Sequence, residues 1–436
     1  MVRVAFVHPD LGIGGAERWL VDSALALRSL NHPFVIYTSH YDPSHCFDET
    51  KQMQVVCKGD WLPRSLFGGR CAAVCAYLRM IYLAFYIVLF SPFTHDVFIC
   101  DQISACIPVL RMSRKAKIVF YCHFPDMLLT ARKTMLKRIY RAPIDALEQF
   151  TTGLADTVLV NSRFTLSVFR DTFPSLQHKA VDVLYPCIHT ESFDSLESSN
   201  QSDWFDLDPW YNKNDIYLLS LNRFERKKNI ALAIDSLAQL RESERLPKDL
   251  RDKIHLIIAG GYDSRVAENV DHYEELWNLA HSYNFLADGL SDVENINSDD
   301  KVHFLKSPSH IEKLRLLDLA SVLLYTPSGE HFGIVPVEAM YMRTPVVAVN
   351  SGGPLETILD GVTGYLSEPD PKSFAQSVEK VLLARCGDEA EKGDANKDEE
   401  KMISKMGDEG KKRVEHNFSF EAFASKLDHY LTARIG

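Results

Sequence analysis

Short apolar segments recur along this chain, separated by longer helical stretches, and the same alternation runs through both halves. That is the pattern of parallel α/β sheets, in which each strand is followed by a crossover helix. In the first half, residues 3–7, 34–38, 96–100, 117–122, 157–160 and 181–184 read as strands, and residues 15–30 form a helix behind a glycine-rich turn. In the second half, residues 216–221, 254–259, 302–305, 321–325 and 346–350 repeat the scheme. The stretch 185–215 is rich in Ser, Asp and Asn and has no periodicity. The expected fold is therefore α/β, with two Rossmann-like doubly wound domains facing a cleft at the carboxyl ends of their strands. The first spans 1–190, a linker 191–214 and the second 215–417, with a C-terminal helix over 418–436 free to pack back on the first domain. The charged segment 396–412, with 387–394 before it, reads as a solvated loop or frayed helix without chemistry.

A chain of 436 residues, 46% hydrophobic and 25% charged, has the proportions of a globular protein. Its net charge of -11 argues against nonspecific nucleic-acid binding, which needs many phosphate-neutralising cations. Nine scattered cysteines include no C-x-x-C pair, so reduced thiols in a cytosol-facing protein are expected. Residues 1–7 read as a first strand and not as the apolar core of a signal peptide.

The charge is unevenly placed. Residues 1–200 carry 20 basic and 18 acidic side chains, leaving 28 against 41 for the rest. Nine basic residues and one acid, Asp126, lie between Arg111 and Arg141, a density that attracts phosphates or anionic headgroups unless it is only a solvated helix face. Just upstream, residues 72–93 are apolar apart from Arg79. Twenty-two residues are enough to cross a bilayer, but Arg79 would then sit in hydrocarbon at a cost of about 2.5–3.5 kcal/mol. The favoured reading is a domain helix with one greasy face docked on a membrane.

Several loops that follow strands could bind a ligand. Gly12-Ile13-Gly14-Gly15-Ala16-Glu17 opens a helix and can aim its amides at an anion, or can be only a tight turn. Glu17 replaces the third glycine of the dinucleotide pattern and no acid ends the second strand, so a nicotinamide site is not expected. His123, at a strand's carboxyl end, can meet a sugar hydroxyl or be structural, and no second His stands at metal-ligand spacing. Arg223 and Lys228 follow the strand ending at Leu221 and suit a diphosphate. Glu330 and Glu338 flank the turn Phe332-Gly333-Ile334, and Ser351-Gly352-Gly353 adds a second backbone-rich loop. Carboxylates among exposed amides suit a polyhydroxylated, phosphorylated ligand.

Glu330, Glu338, Arg223, Lys228 and the Gly14-Gly15-Ala16-Glu17 loop resemble the retaining glycosyltransferases of family 4, which have the GT-B fold. The strings HPDLGIGGAER, YDPSHCF, CDQISACIP, YCHFPD, YRAPID, NRFERKKN, EHFGIVPVEAMY and VNSGGPLE are similar to the alpha-1,3/1,6-mannosyltransferase family of asparagine-linked glycosylation. The likeness runs from about residue 4 to residue 365, and the charged tail after about residue 383 departs from it. It implies GDP-mannose as donor and a dolichyl-diphosphate oligosaccharide as acceptor, at the cytosolic face of the endoplasmic reticulum membrane. Mannose would be added to the monomannosyl chitobiose core first in alpha-1,3 and then in alpha-1,6 linkage, with room for a complex with other enzymes of that pathway.

Residue by residue, the resemblance assigns Arg223 and Lys228 to the donor diphosphate, Glu338 to the ribose and Glu330 to the sugar. The donor set also includes Phe332, Gly333 and Ile334. His123 is assigned to the reacting centre, and Gly14 and Gly15 to the loop facing acceptor and phosphate. No cofactor or essential metal is expected, because side chains usually neutralise the diphosphate in this fold. The competing readings are a family 4 enzyme with a soluble acceptor and an inactive sugar-nucleotide-binding subunit.

Overall fold

The computed structural model describes residues 1–66, 71–130, 134–197, 211–285, 287–289, 301–385 and 394–433. Residues 198–210 of the expected linker, Arg132 and Lys133 of the basic cluster, and 387–393 lie outside this set. The chain forms two compact units, Met1–Cys187 with Phe420–Gly436, and Ile188–Ser419.

The first unit is built on seven parallel strands: β1 (Val4–His8), β2 (Phe34–Thr38), β3 (Val55–Cys57), β4 (Val97–Asp101), β5 (Lys117–Cys122), β6 (Thr157–Val160) and β7 (Val181–Val183). Their order is β3-β2-β1-β4-β5-β6-β7, so the winding reverses between β1 and β4. β1 and β4 are buried along their whole length, which explains their unbroken apolar reading. The Ala72–Phe90 helix is one of the covering helices. Met80, Leu83, Ala84 and Ile87 pack into the same cluster as β4 and β5. Arg79 is buried in protein, its guanidinium donating to the Ser39 carbonyl at 2.7 Å and lying 3.3 Å from Asp60. The opposite face leaves Leu78, Tyr82, Phe85 and Leu89 exposed, spaced four, three and four residues apart.

The helix Phe420–Ala433 returns to this unit. Phe423, Leu427 and Leu431 are buried with residues of β1 and of the Gly15–Ser29 helix, and Asp428 pairs with His32 at 3.0 Å.

The second unit holds β8 (Ile216–Leu221), β9 (Ile254–Gly260), β10 (Ala287–Gly289), β11 (Val302–Lys306), β12 (Val322–Tyr325), β13 (Val346–Val349) and β14 (Tyr365–Ser367). They are parallel in the order β10-β11-β9-β8-β12-β13-β14, with the reversal between β8 and β12. Three strands absent from the sequence reading, β3, β10 and β14, are three-residue edge strands, too short to carry a periodic signal.

Two expectations are refined here: the linker start is helical, and of the loop and helix readings of the charged segment the helix holds. The stretch expected to begin a linker forms the helix Glu191–Glu197. Phe193 is buried there against Tyr341, whose hydroxyl donates to Asp194 at 2.7 Å, so two apolar anchors outweigh the polar composition. The charged segment around 396–412 belongs to the helix Asp394–Asn417. Met406, Gly410 and Val414 stand four apart on one buried stripe within the charge. A Cβ on Gly407 would lie 2.7 Å from the Arg343 carbonyl, so glycine permits the approach to the helix Ile334–Tyr341.

If the C-terminal helix is part of the first core, Leu427→Ala removes a 1% exposed side chain at a cost of about 2–5 kcal/mol. Urea unfolding followed by circular dichroism should show the loss, and an unchanged midpoint would contradict it.

Candidate active site

In each unit the candidate residues gather where the strand order reverses, as expected for a doubly wound sheet. In the second unit, the loops after β8, β9, β11 and β12 enclose a cavity of about 480 Å³. Asn222, Arg223 and Lys228 come from the first loop, Gly260 and Gly261 from the second, Ser307 and Pro308 from the third, and Glu330, Gly333 and Ile334 from the fourth. Lys313 and Glu338 line it from the helices His310–Leu319 and Ile334–Tyr341.

The wall alternates in charge. The Lys228 ammonium donates to Glu330, and that of Lys313 donates to Glu338 at 2.7 Å. Burial would raise the Glu330 carboxyl, but Lys228 outweighs it and holds Glu330 below the ordinary carboxylate range. Arg223 pairs with Glu225 at 3.1 Å and keeps 62% of its side chain exposed, so its guanidinium is accessible to a ligand.

Backbone contacts set this geometry. Thr326 Oγ1 donates to the Lys228 carbonyl at 2.8 Å, tying the loop after β8 to the end of β12. The Gly353 amide donates to the Glu330 carbonyl at 2.7 Å, and a Cβ there would fall 2.1 Å from the Phe332 carbonyl oxygen. Gly352, at φ +71, would place a Cβ 2.4 Å from the Glu330 carbonyl oxygen. The Ser351-Gly352-Gly353 loop thus serves as the bed of the Glu330 turn, a role that needs residues without side chains. Gly333, at φ +82, caps the start of the helix Ile334–Tyr341.

Phe332 stands apart from the cavity. Its ring is buried and meets Phe418 edge-on at 5.6 Å, so the side chain belongs to the core and does not line the cavity. Sequence reasoning missed Lys313, which has no motif and sits on a helix whose Ser309/Glu312 capping box looks like an ordinary solvated start. It also missed Gly260-Gly261, although a glycine pair ending a strand was a readable signal.

In the first unit, His123 does not stand alone. Its Nε2 lies 3.2 Å from Asp101, which ends β4, and Asp101 also meets His8 Nδ1 at 2.8 Å. The His123 ring meets Trp19 and Tyr121 edge-on, and its carbonyl accepts from Asn161 at 3.1 Å. Gly14 and Gly15 begin the adjoining helix, where Glu17 reaches to 3.5 Å from His8. Burial disfavours charge on His8, but Asp101 and Glu17 overcome it and push its pKa up to about 10. Among the described residues, no group of three or more His, Cys, Asp or Glu side chains is arranged to hold a metal ion.

The chain matches the profile "Glycosyltransferase Family 4" over residues 13–192 and "Glycosyl transferases group 1" over residues 208–400. The human alpha-1,3/1,6-mannosyltransferase is 50% identical over 431 residues, covering 98% of this chain and 95% of that protein. The chain belongs to the alpha-1,3/1,6-mannosyltransferase family.

The mouse member is also 50% identical, over 99% of this chain and 96% of its own, and that of Saccharomyces cerevisiae is 44% identical over 86% and 76%. Among solved structures, a glycosyltransferase from Rickettsia africae superposes with a TM-score of 0.70 at 16% identity, covering 99% of this chain and 98% of its own. The Anabaena protein HepE, in complex with UDP, gives 0.64 at 16% identity, over 99% and 100%. The fold is GT-B, and this member of the family is a mannosyltransferase.

The His8 charge has a consequence for stability. Its folded pKa lies above the ordinary 6.5, so the stability it contributes is complete below about pH 6.5 and is lost as pH rises toward 10. Urea unfolding between pH 6 and 10 should show an alkaline decline that is shallower in His8→Gln; equal slopes would contradict it.

Proposed function

We propose that the chain transfers mannose from GDP-mannose to dolichyl-diphosphate-linked monomannosyl chitobiose, forming the alpha-1,3 and then the alpha-1,6 linkage. The observation that carries this reading is the cavity wall in which Lys228–Glu330 and Lys313–Glu338 pairs stand beside an exposed Arg223. Cations there meet the donor diphosphate, while the carboxylates accept hydroxyl hydrogen bonds, Glu338 from the ribose and Glu330 from the sugar. His123 serves the transferred sugar.

As mannose departs, negative charge builds on the leaving diphosphate. Arg223 and Lys228 then bind it more strongly in the transition state than in the ground state, which is what accelerates the step. Lys228 is held in advance by Thr326 and Glu330, and Arg223 pairs with Glu225, so little reorganisation of Lys228 accompanies the reaction. Because side chains supply this charge, transfer is expected to persist in excess chelator.

The acceptor is borne by a lipid, and the reading places the enzyme on the cytosolic face of the endoplasmic reticulum membrane. The exposed stripe Leu78, Tyr82, Phe85 and Leu89 suits insertion into an interface, and Leu128, Leu129, Met135, Leu136 and Ile139 are exposed beside Lys137 and Arg138.

Lys228→Ala should lower turnover at least about 100-fold, or ~2.7 kcal/mol, in an assay of radiolabelled mannose incorporation. Retained turnover would remove Lys228 from the diphosphate. Lipid-linked monomannosyl acceptor should be elongated to the trimannosyl product with EDTA present. Elongation of a free oligosaccharide alone would favour the soluble-acceptor reading, and no transfer to either would favour an inactive subunit.

A further inference from the structure

His8 and Asp101 form a buried charged pair that the transfer reaction as described above does not use. They end β1 and β4, the neighbouring strands at the reversal of the first sheet, and are 0% and 2% exposed. His8 Nδ1 lies 2.8 and 3.0 Å from the two Asp101 oxygens. His8 Nε2 lies 2.8 Å from the Asp10 carbonyl oxygen, with Glu17 at 3.5 Å. A carbonyl and an ionised carboxylate can only accept, so both His8 nitrogens carry protons and the ring is an imidazolium. Asp101 therefore has a buried counter-ion, and its Oδ2 also accepts from His123 Nε2 at 3.2 Å. Placing the proton of a neutral His123 on Nε2 leaves Nδ1 as an acceptor.

We propose that His8 and Asp101 are positioning residues for mannosyl transfer, holding the His123 ring in one orientation and one tautomer with Nδ1 available to a hydroxyl of the reacting sugar. This rests on the assignment of His123 to the sugar made above. The surroundings agree with a device that fixes a ring. Trp19 and Tyr121 stack at 3.7 Å and box His123 edge-on at 5.6 and 4.7 Å. The Asn161 amide holds the His123 backbone. Gly14 leaves room for Glu17 to fold over its own helix start toward His8, since a Cβ at Gly14 would lie 2.4 Å from Glu17 Oε2. The Gly-Gly-Ala-Glu run thus gains a role within the protein: its glycine admits the second carboxylate that balances His8.

The test combines spectroscopy on the free protein with kinetics. In the full chain with 15N-labelled histidine, the His123 resonances, assigned by their loss in His123→Gln, should show a protonated Nε2 and an unprotonated Nδ1 at neutral pH. In Asp101→Asn that pattern should change to Nδ1–H or to a mixture, whereas in His8→Gln, where Asp101 still accepts from Nε2, the displaced carboxylate should shift the His123 resonances. The same variants should lower kcat about 10- to 100-fold with the KM for GDP-mannose little changed. A merely structural pair would lower the unfolding midpoint but leave the tautomer and the kcat of the folded protein as they were, and that result overturns the proposal. A protonated Nδ1 with bare Nε2 in the unmodified protein overturns it without any variant having to fold. Failure of the unmodified protein to elongate the lipid-linked acceptor would instead count against the assigned reaction, and the tautomer measurement does not depend on it.

Discussion

Two carboxylates and two ammonium groups share the cavity of the second unit, and each is tolerable there only because it faces its opposite. A half-buried glutamate without a partner would take up a proton or open the wall, whereas Glu330 and Glu338 each meet a lysine. The pairing depends on the backbone. Lys228 is fixed by the Thr326 hydroxyl and Glu330 by the Gly353 amide, so strand ends on either side of the sheet reversal set where the charges stand. The charges of this wall are therefore oriented by the fold itself.

Most of the fold was legible because both sheets are parallel and buried, and a buried parallel strand reads as an unbroken apolar run. What was not legible has identifiable causes. The edge strands β3, β10 and β14 are too short for any period. The helix Asp394–Asn417 hides its Met406, Gly410, Val414 stripe beneath charged residues, because a small residue can pack without being apolar. At the site, residues in strand-end loops were found: Arg223, Lys228, Glu330, Gly333 and Ile334 all line the cavity, and so does Glu338. Lys313 was missed because it reaches the cavity from a helix, where a lysine is unremarkable. Phe332 was placed in the donor set by its neighbours in sequence, but its ring turned to the core.

Sequence offered less for the first unit. His123 was visible at the end of β5, but its partner Asp101 lies 22 residues away and His8 a further 93 from Asp101. Only the strand order β1-β4-β5 brings the three together. The glycine-rich loop was read as either an anion-binding turn or a tight turn alone; in the folded chain Glu17 folds over its start, beside Gly14. The family assignment rests on none of these details, since identity to the human and mouse members runs over nearly the whole chain.

The C-terminal helix has a consequence for biosynthesis. The core around β1 includes Phe423, Leu427 and Leu431, so the first-made half cannot complete that core until this helix has been translated. All of Ile188–Ser419 must be translated in between, roughly ten to fifty seconds at ordinary elongation rates. Through that interval the patch of β1 and the Gly15–Ser29 helix on which Phe423, Leu427 and Leu431 pack has no cover from the C-terminal helix, while the second-made unit is continuous in sequence. The unit whose synthesis starts first is thus the one whose core is completed last.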